Sequence, residues 1–151
     1  MVKHLGLKAY GKINLGLDVL RRRENGYHEV RMIMQTVGLY DRIDLIYRDM
    51  PGIKVETNLY YLPNNENNLV YQAANILMEE FDIKKGISIK LRKFIPVAAG
   101  MAGGSSDAAA VLFGVNKMFG LGLSQQQLME RGIRIGADVP YCVMSGTALS
   151  E

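Results

Sequence analysis

The sequence has little of what cross-links secreted proteins or binds zinc, because it holds one cysteine, Cys142, and two histidines, His4 and His28. A single cysteine excludes an internal disulfide framework and suits a reducing compartment. The two histidines are too few and too far apart along the chain to predict a zinc site. No apolar run approaches the roughly 18 residues of a membrane span, and the N-terminus lacks the apolar region of a signal peptide. We therefore expect a cytoplasmic protein with no membrane partner and no metal ligands of its own.

Charge of either sign is also modest, because 18 lysines and arginines against 15 acidic residues leave a net charge of +3. The excess favours anionic partners, which include nucleotides, phosphorylated metabolites and nucleic acids, without choosing among them. The chain lacks the dense basic residues and interleaved aromatics of a nucleic-acid-binding module. The run Arg21-Arg22-Arg23 could steer an anionic substrate, although a charge run is usually a solvated surface. With 151 residues, 48% of them hydrophobic, the composition predicts one globular domain with its own core.

The first third of the sequence is rich in strand signals. Alternating apolar residues predict a strand within residues 5–20, and Asn25-Gly26 is a strong turn signal. An apolar segment over residues 30–40 predicts the returning strand, and two more short strands are expected at 44–47 and 53–57.

Helical spacing of apolar residues begins after a polar loop and predicts a helix over residues 69–81, with Asn67 or Asn68 as its N-cap. The remaining predicted elements follow in order: a strand over residues 87–92, a glycine-rich loop over 96–104, a helix over 105–119, a short helix capped by Ser124, a turn with Pro140, and a strand over 147–150. This order predicts a single α+β domain.

The glycine-rich loop over residues 96–104 stands between a predicted strand and a predicted helix. Small residues let backbone N–H groups approach an oxyanion, and the positive end of the helix dipole behind them favours an anion. The loop therefore predicts a site for nucleotide phosphate. It has neither the Gly-Lys-Ser/Thr ending of a Walker A motif nor the Rossmann fingerprint. The alternative is a tight strand-to-helix turn in which small residues only allow close packing and Ser105 is a plain N-cap.

Four segments in a fixed order carry a family resemblance. The loop ends in Gly-Gly-Ser-Ser-Asp-Ala-Ala at residues 103–109. The other segments are Ala-Tyr-Gly-Lys-Ile-Asn-Leu at 9–15, Asn-Gly-Tyr-His-Glu-Val at 25–30, and Ile-Gly-Ala-Asp-Val-Pro at 135–140. Together they resemble the GHMP kinase superfamily of small-molecule kinases. Within it they are similar to the family that phosphorylates the 2-hydroxyl of 4-diphosphocytidyl-2-C-methyl-D-erythritol in non-mevalonate isoprenoid biosynthesis.

The resemblance implies an ATP-dependent phosphotransferase, with Mg²⁺ bridging the ATP phosphates and the cytidyl alcohol as the other small-molecule partner. It implies that residues 1–151 form the superfamily's N-terminal ATP-binding domain, a mixed sheet with helices on one face that is similar to a ribosomal-protein domain. The family's chains continue into a C-terminal domain that nothing in this sequence matches, so we expect a truncated form with little activity alone. The alternatives are a nucleotide-binding fragment without turnover and a nucleic-acid-binding module of the ribosomal-protein type.

Two catalytic residues follow from the resemblance. Asp138 matches the family's catalytic base, and Lys12 matches a lysine beside it, which would hold the carboxylate ionised and polarise the moving phosphate. We therefore expect Lys12 and Asp138 to lie within salt-bridge distance. Taken singly, Asp138 could instead be a helix N-cap before Pro140, and Lys12 a solvated strand residue.

The resemblance also implies binding residues. Tyr27 and His28 match positions that hold the cytidine end of the substrate, and Asn14 is expected at the erythritol hydroxyls. Alternatively, Tyr27 packs on a hairpin, His28 is a surface histidine, and Asn14 is hydrogen-bonded to local backbone. Ala98 and Ala102 stand where many relatives carry glycine, a change that still leaves small side chains. Asn68 is predicted to bind the cofactor, and its alternative is a helix cap alone. The predicted cofactor-binding residues are Asn68, Lys93, Pro96, Val97, Ala98, Ala99, Gly100, Met101, Ala102, Gly103, Gly104, Ser105 and Ser106.

Overall fold

The computed structural model describes residues 2–22, 24–25, 28–97, 100–145 and 147–149; within these, the side chains of 14–21, 28–33, 145 and 147–149 are not described. The chain forms strands and helices in the order β1 His4–Arg22, β2 His28–Arg48, β3 Gly52–Thr57, α1 Leu69–Glu80, β4 Gly86–Arg92, α2 Gly103–Met118, α3 Gln125–Gly132, α4 Val139–Ser145 and β5 Thr147–Leu149.

The strands form one five-stranded sheet in the order β3-β4-β2-β1-β5. β1 and β2 are long antiparallel partners, with Leu7 opposite Ile43 and Lys12 opposite Thr36. β2 also pairs antiparallel with β4, whereas β3 and β4 run parallel. The sheet is therefore mixed, as predicted.

Helices cover one face of this sheet, and the alternation of burial along the strands shows it. Leu5, Leu7 and Ala9 of β1 are buried, as are Ile43 and Leu45 of β2. The residues between them, such as Lys8 and Arg42, are more exposed and lie on the other face. Apolar residues of α1 and α2 complete the same buried cluster. The predicted α+β class, a mixed sheet with helices on one face, is confirmed.

Two predicted helix caps are confirmed. The Asn68 side chain accepts a hydrogen bond from the Val70 N–H at the start of α1. Ser124 and Gln127 form a capping box at the start of α3. Both caps satisfy N–H groups that have no partner within the helix.

The predicted separate strand at residues 44–47 is wrong, because β2 runs without interruption from His28 to Arg48. The apolar segment was predicted to end at residue 40, and charged Asp41 and Arg42 follow it. Asp41 is nevertheless fully buried within the strand, where its carboxylate accepts the N–H groups of Phe94 and Ile95. A buried carboxylate that is fully hydrogen-bonded is compatible with a continuous strand.

Two helix predictions also need correction. Pro140 lies in the first turn of α4 rather than in a simple turn, a position where its missing N–H is not needed. α2 begins at Gly103, two residues before the predicted start at Ser105, and its N-cap residue is Ala102. Among the described residues, no helix is both long enough and apolar enough to cross a membrane.

Candidate active site

The glycine-rich loop follows β4 and leads directly into α2. Ile95 anchors its first end in the core, with 1% of its surface exposed. At its second end, Gly100 has φ 72° and Ala102 has φ 53°, both in the left-handed region. This region favours glycine, so Ala102 adopts it at some cost in strain. Ala98 and Ala99 lie outside the described residues, and their predicted contact with phosphate stays a prediction.

The N-terminus of α2 presents N–H groups that have no acceptor among the described residues. The first bond of the helix runs from the Ser106 N–H to the Ala102 carbonyl oxygen, and no described side chain caps the helix. The first three helical residues, Gly103 to Ser105, therefore have N–H groups without an intrahelical acceptor. The alternative prediction of Ser105 as a plain N-cap is wrong, because Ser105 lies inside the first turn. An anion would be favoured at this end of the helix.

A cavity of about 350 Å³ opens beside this end of α2. Its other walls come from the loop before α1 and from the end of β4, including Leu62, Pro63 and Leu91. The structure brings ten of the predicted cofactor-binding residues into this wall: Asn68, Lys93, Pro96, Val97, Gly100, Met101, Ala102, Gly103, Gly104 and Ser105. The volume lies in the range of small-molecule sites.

Ser106 takes a different position from the residues that line the cavity. Its hydroxyl donates a 2.6 Å hydrogen bond to the Tyr10 carbonyl oxygen, and 1% of the residue is exposed. In this structure Ser106 therefore links α2 to β1 and does not face the cavity.

A buried ionic cluster adjoins the cavity, and Lys93 and Asp107 of this cluster line it. Lys93 Nζ donates to Asp41 Oδ2 at 2.5 Å and to Asp107 Oδ2 at 2.8 Å. Burial alone would lower the pKa of Lys93, but Asp107 and Asp41 outweigh it and raise that pKa. Burial and a hydrogen bond with Asp41 raise the pKa of Asp107 well above its ordinary value, against the opposing charge of Lys93.

Lys12 is placed by an irregularity in β1. The register between β1 and β2 shifts between Tyr10 and Lys12, and the Lys12 N–H turns to donate to the Met101 carbonyl oxygen at 2.8 Å. A side chain at Gly11 would lie 3.1 Å from the Met101 methyl group, so the strand and the loop approach closely there. The glycine-rich loop is thus bonded directly to the backbone of Lys12, the predicted catalytic lysine.

The Lys12 side chain is almost completely buried, with 1% of the residue exposed. Its Nζ donates to the Tyr10 carbonyl oxygen at 3.3 Å and lies 5.8 Å from the centre of the Tyr141 ring. The alternative of a solvated strand lysine is therefore wrong. A buried ammonium that faces a carbonyl oxygen and the Cys142 thiol, with no carboxylate partner among the described residues, is well suited to attract an anion.

Asp138 is exposed at the start of α4, where its carbonyl oxygen accepts the Cys142 N–H at 3.1 Å. Burial raises the pKa of the Cys142 thiol, while Lys12 lowers it and Asp138 raises it. Lys12 and Asp138 therefore both lie near Cys142. The expected salt bridge between them is nevertheless not formed, because the ammonium is buried beneath α4 and bonds to a carbonyl while Asp138 faces solvent.

The predicted substrate-binding residues cannot be compared with the structure at the level of their side chains. Tyr27 lies outside the described residues. Asn14 pairs with Met34, and His28 pairs with Arg22, through the backbone of β1 and β2, but their side chains are not described. All three assignments stay predictions.

Sequence reasoning missed three side chains near the site. Asp41 carried a signal, as an acidic residue within an apolar strand segment, and Asp107 carried another, as an acid inside the phosphate loop motif. Tyr141, whose hydroxyl donates to the Met34 carbonyl oxygen at 3.1 Å, carried none. Its position depends on how α4 packs against α2 and α3.

Helix N–H groups that lack an acceptor among the described residues open to a cavity of suitable volume, an arrangement that suits the class of phosphate-binding domains. Comparison with known proteins gives the family. A family model described as "GHMP kinases N terminal domain" matches residues 68–146. The chain belongs to this family.

Curated relatives are similar over nearly the whole chain. A protein of Lachnospira eligens is 58% identical over 150 residues, covering 99% of this chain and 52% of the relative. A protein of Lachnoclostridium phytofermentans is 58% identical over 147 residues, covering 97% of this chain and 50% of the relative. Both are named 4-diphosphocytidyl-2-C-methyl-D-erythritol kinase. The chain thus spans about half the length of the curated relatives it matches.

Solved structures share the fold. A crystal structure of 4-(cytidine 5'-diphospho)-2C-methyl-D-erythritol kinase superposes with a TM-score of 0.81 at 34% identity, covering 97% of this chain and 51% of that chain. Homoserine kinase from Cytophaga hutchinsonii superposes with a TM-score of 0.76 at 17% identity, covering 99% of this chain and 49% of that chain. The second likeness concerns the fold alone.

Proposed function

We propose that this chain is the ATP-binding part of a kinase that transfers the γ-phosphoryl group of ATP to the 2-hydroxyl of 4-diphosphocytidyl-2-C-methyl-D-erythritol. On this proposal residues 1–151 form the N-terminal ATP-binding domain, and a second domain completes the enzyme. The relatives named above, at 58% identity, support the choice of acceptor. The partners are ATP and the cytidyl alcohol.

One observation carries the proposal: the backbone hydrogen bond from the Lys12 N–H to the Met101 carbonyl oxygen. It fixes the strand that bears the buried ammonium to the loop that precedes the N–H groups of α2. A phosphate bound at those groups would therefore lie on a rigid frame shared with Lys12. Phosphoryl transfer depends mainly on such positioning and on charge stabilisation.

Mg²⁺ would enter this site with the nucleotide. Among the described residues, no group of three or more histidine, cysteine or acidic side chains could hold a metal ion. Mg²⁺ commonly takes its ligands from substrate phosphates and water with few protein groups, so the residues present fit Mg²⁺ bound to ATP rather than a resident ion. When bound, Mg²⁺ neutralises phosphate charge.

The protein's own residues then divide the chemical roles. The N–H groups of Gly103, Gly104 and Ser105 would hold the phosphates. Lys12 would stabilise negative charge on the transferred group, and Asp138 would orient the acceptor hydroxyl and take its proton. An acceptor between Lys12 and Asp138 would separate the two charges, in agreement with the absence of a direct ion pair.

Nucleotide binding tests the proposal on the chain itself. Gly104 is exposed at the head of α2, and a valine there would cover the N–H groups. We expect Gly104→Val to weaken the calorimetric affinity for ATP with Mg²⁺ by at least about tenfold, whereas Gly38→Val, in open space on β2, stays within about twofold. Failure of the unchanged chain to bind ATP, or equal binding by both variants, would contradict the proposal.

Nucleic-acid binding is the rival from another class. No relative reported above is named for it, and the net charge of +3 is small. Filter binding to RNA at two salt concentrations separates the two functions, because phosphate-dominated association weakens steeply as salt rises. We expect no salt-sensitive retention of RNA.

A further inference from the structure

Asp41, Lys93 and Asp107 form a buried cluster, which we call the carboxylate–lysine clamp. The side chains of Asp41, Lys93 and Asp107 are exposed by 0%, 5% and 2% respectively. The three residues come from β2, from the end of β4 and from the second turn of α2. The clamp therefore joins the sheet to the helix whose N-terminus faces the cavity.

The charges of the clamp do not balance if both acids are ionised. One ammonium faces two carboxylates, which would leave a buried negative charge. Such a charge is costly in a medium of low dielectric constant, and the usual response is protonation. Its location increases the cost, because Asp107 lines the cavity proposed for nucleotide phosphates.

Hydrogen bonding indicates which acid carries the proton. Asp41 uses both oxygens as acceptors: Oδ1 accepts from the Phe94 and Ile95 N–H groups at 2.7 and 2.9 Å, and Oδ2 accepts from Lys93. Asp107 Oδ2 also accepts from Lys93, but Asp107 Oδ1 is buried and has no partner among the described residues. An ionised oxygen in that state would be desolvated without compensation, and protonation of Asp107 removes that cost. The hydrogen bond between the Asp107 and Asp41 side chains gives the proton an acceptor.

The clamp also touches the phosphate-facing backbone. A side chain at Gly103 would lie 3.0 Å from Lys93 Nζ and 3.1 Å from Ile95 Cγ2. The first residue of α2 therefore rests directly on the clamp. A shift of Lys93 would move the N–H groups that are proposed to bind phosphate.

We propose that Asp107 is a positioning residue held as a neutral carboxylic acid, which shares its proton with Asp41 and fixes Lys93 beneath the head of α2 without placing negative charge at the phosphate site. The effect of this role on nucleotide binding rests on the proposed function. The protonation of Asp107 does not depend on that function.

Titratable groups on the surrounding elements are few. Asp41 faces Asp107 from β2, and Lys93 faces it from the end of β4. On the side of α4, the charges of Lys12, Asp138 and Asp107 act on the pKa of the Cys142 thiol. Because the pKa of Asp107 is raised, its proton is retained to a higher pH than that of an ordinary aspartate and is lost only as the pH rises through the raised value.

Infrared spectroscopy tests the protonation directly. The difference spectrum between the unchanged 151-residue chain and Asp107→Asn at neutral pH is expected to contain the C=O band of one protonated carboxyl, with a shift in heavy water. The control is Asp82→Asn, which alters an exposed aspartate beside Lys84 and should give only carboxylate bands. If the Asp107→Asn difference spectrum contains carboxylate bands but no C=O band of a protonated carboxyl, the proposal is overturned.

Matched variants test the consequence. Asparagine imitates a neutral aspartic acid, so Asp107→Asn should keep the melting temperature within about 3 °C and the ATP affinity within about twofold. Asp41→Asn removes an ionised carboxylate with three donors and should lower the melting temperature by roughly 8 °C or more. Asp107→Leu, which cannot bond Lys93, should weaken ATP binding by at least about fivefold.

The outcomes separate the two proposals. If Asp107→Asn destabilises the chain as much as Asp41→Asn does, Asp107 is an ordinary ion-pair partner and the inference fails. If Asp107→Leu binds ATP as tightly as the unchanged chain, the positioning role fails. If the unchanged chain binds no ATP, the proposed function fails, while the infrared and melting results still decide the protonation of Asp107.

Discussion

Lys12 and Asp138 lie in opposite environments although both are near Cys142. Lys12 is buried beneath α4, and Asp138 is exposed at the first turn of the same helix. An exposed carboxylate can reach an incoming alcohol, while a buried ammonium keeps its charge unscreened for the phosphate. On the proposed function, the two residues would therefore act at different ends of the same transfer.

We expect Asp138→Asn, made at the matching position of a full-length relative, to reduce turnover by at least about 100-fold while ATP affinity changes less than about twofold. The amide keeps the size and the helix-start position but cannot accept the acceptor's proton. Steady-state kinetics with ATP and the cytidyl alcohol, together with calorimetric ATP binding, measure the two effects separately. Retained turnover would remove Asp138 as the base.

Asn68 combines the roles of helix cap and cavity wall. Its Oδ1 accepts from Val70 N–H at 3.0 Å, and its Nδ2 donates to the Pro63 carbonyl oxygen at 2.9 Å. We expect Asn68→Ala to lower the free energy of unfolding by about 1–2 kcal/mol, and Asn68→Ser, which keeps a capping oxygen, to lower it by less. Urea denaturation measures both. Equal losses for alanine and serine would show that the Pro63 contact, rather than the cap, stabilises this end of α1.

Ala102 occupies a backbone conformation that suits glycine, with φ 53° and ψ 33°. We expect Ala102→Gly to raise the free energy of unfolding by about 0.5–1 kcal/mol, because relief of left-handed strain exceeds the entropy cost of glycine. The control is Ala109→Gly within α2, which should lower it by about 1 kcal/mol or more. A destabilised Ala102→Gly in thermal or urea unfolding would contradict the strain.

At the scale of elements, the start of β4 is packed against the turn before β3. A side chain at Gly86 would lie 2.1 Å from the Met50 carbonyl oxygen and 2.6 Å from that of Gly52, and both are backbone atoms that cannot rotate away. We expect Gly86→Ala to cost about 1–3 kcal/mol in the free energy of unfolding. Gly38→Ala on β2, with nothing within 4 Å, should instead add roughly 0.5 kcal/mol. Equal stabilities of the two variants in urea would rule out the steric explanation.

The junction of β1 with the loop has the clearest consequence for function among the elements. Two hydrogen bonds connect one irregular stretch of β1 to both ends of the turn into α2. The Lys12 N–H donates to the Met101 carbonyl oxygen, and the Ser106 hydroxyl donates to the Tyr10 carbonyl oxygen. Hydrogen bonds on both sides of a short segment leave it few alternative arrangements. The N-terminus of α2 therefore keeps a fixed position relative to the buried ammonium.

At the scale of the whole molecule, the chain spans about half the length of its curated relatives. We expect the 151-residue chain to bind ATP but to show little or no turnover with ATP and the cytidyl alcohol. The reason is that the relatives' remaining half is expected to complete the acceptor side of the site. A full-length relative assayed in parallel is the control, and robust turnover by the chain alone would refute the expectation.

Much of the fold could be predicted from the sequence because its elements carry local signals. Asn68 and Ser124 were predicted to cap helices, and the alternation over residues 87–92 predicted β4. The predictions failed where a non-local contact overrides the local pattern. The predicted strand ended at residue 40, just before Asp41. In the structure, two backbone N–H groups and Lys93 hydrogen-bond to Asp41, so that it is a stable part of β2.

The sequence by itself determined most of the order of elements and the glycine-rich loop, because turn residues, periodicity and small residues act over a few positions. The candidate lysine, Lys12, followed from the family resemblance of its segment. Only the tertiary structure decided that Lys12 is buried without an ion pair to Asp138, and that Asp41, Lys93 and Asp107 meet at the cavity. Those facts depend on how strands and helices distant in sequence pack together. Burial and charge balance, which set the protonation of Asp107, arise only after that packing is complete.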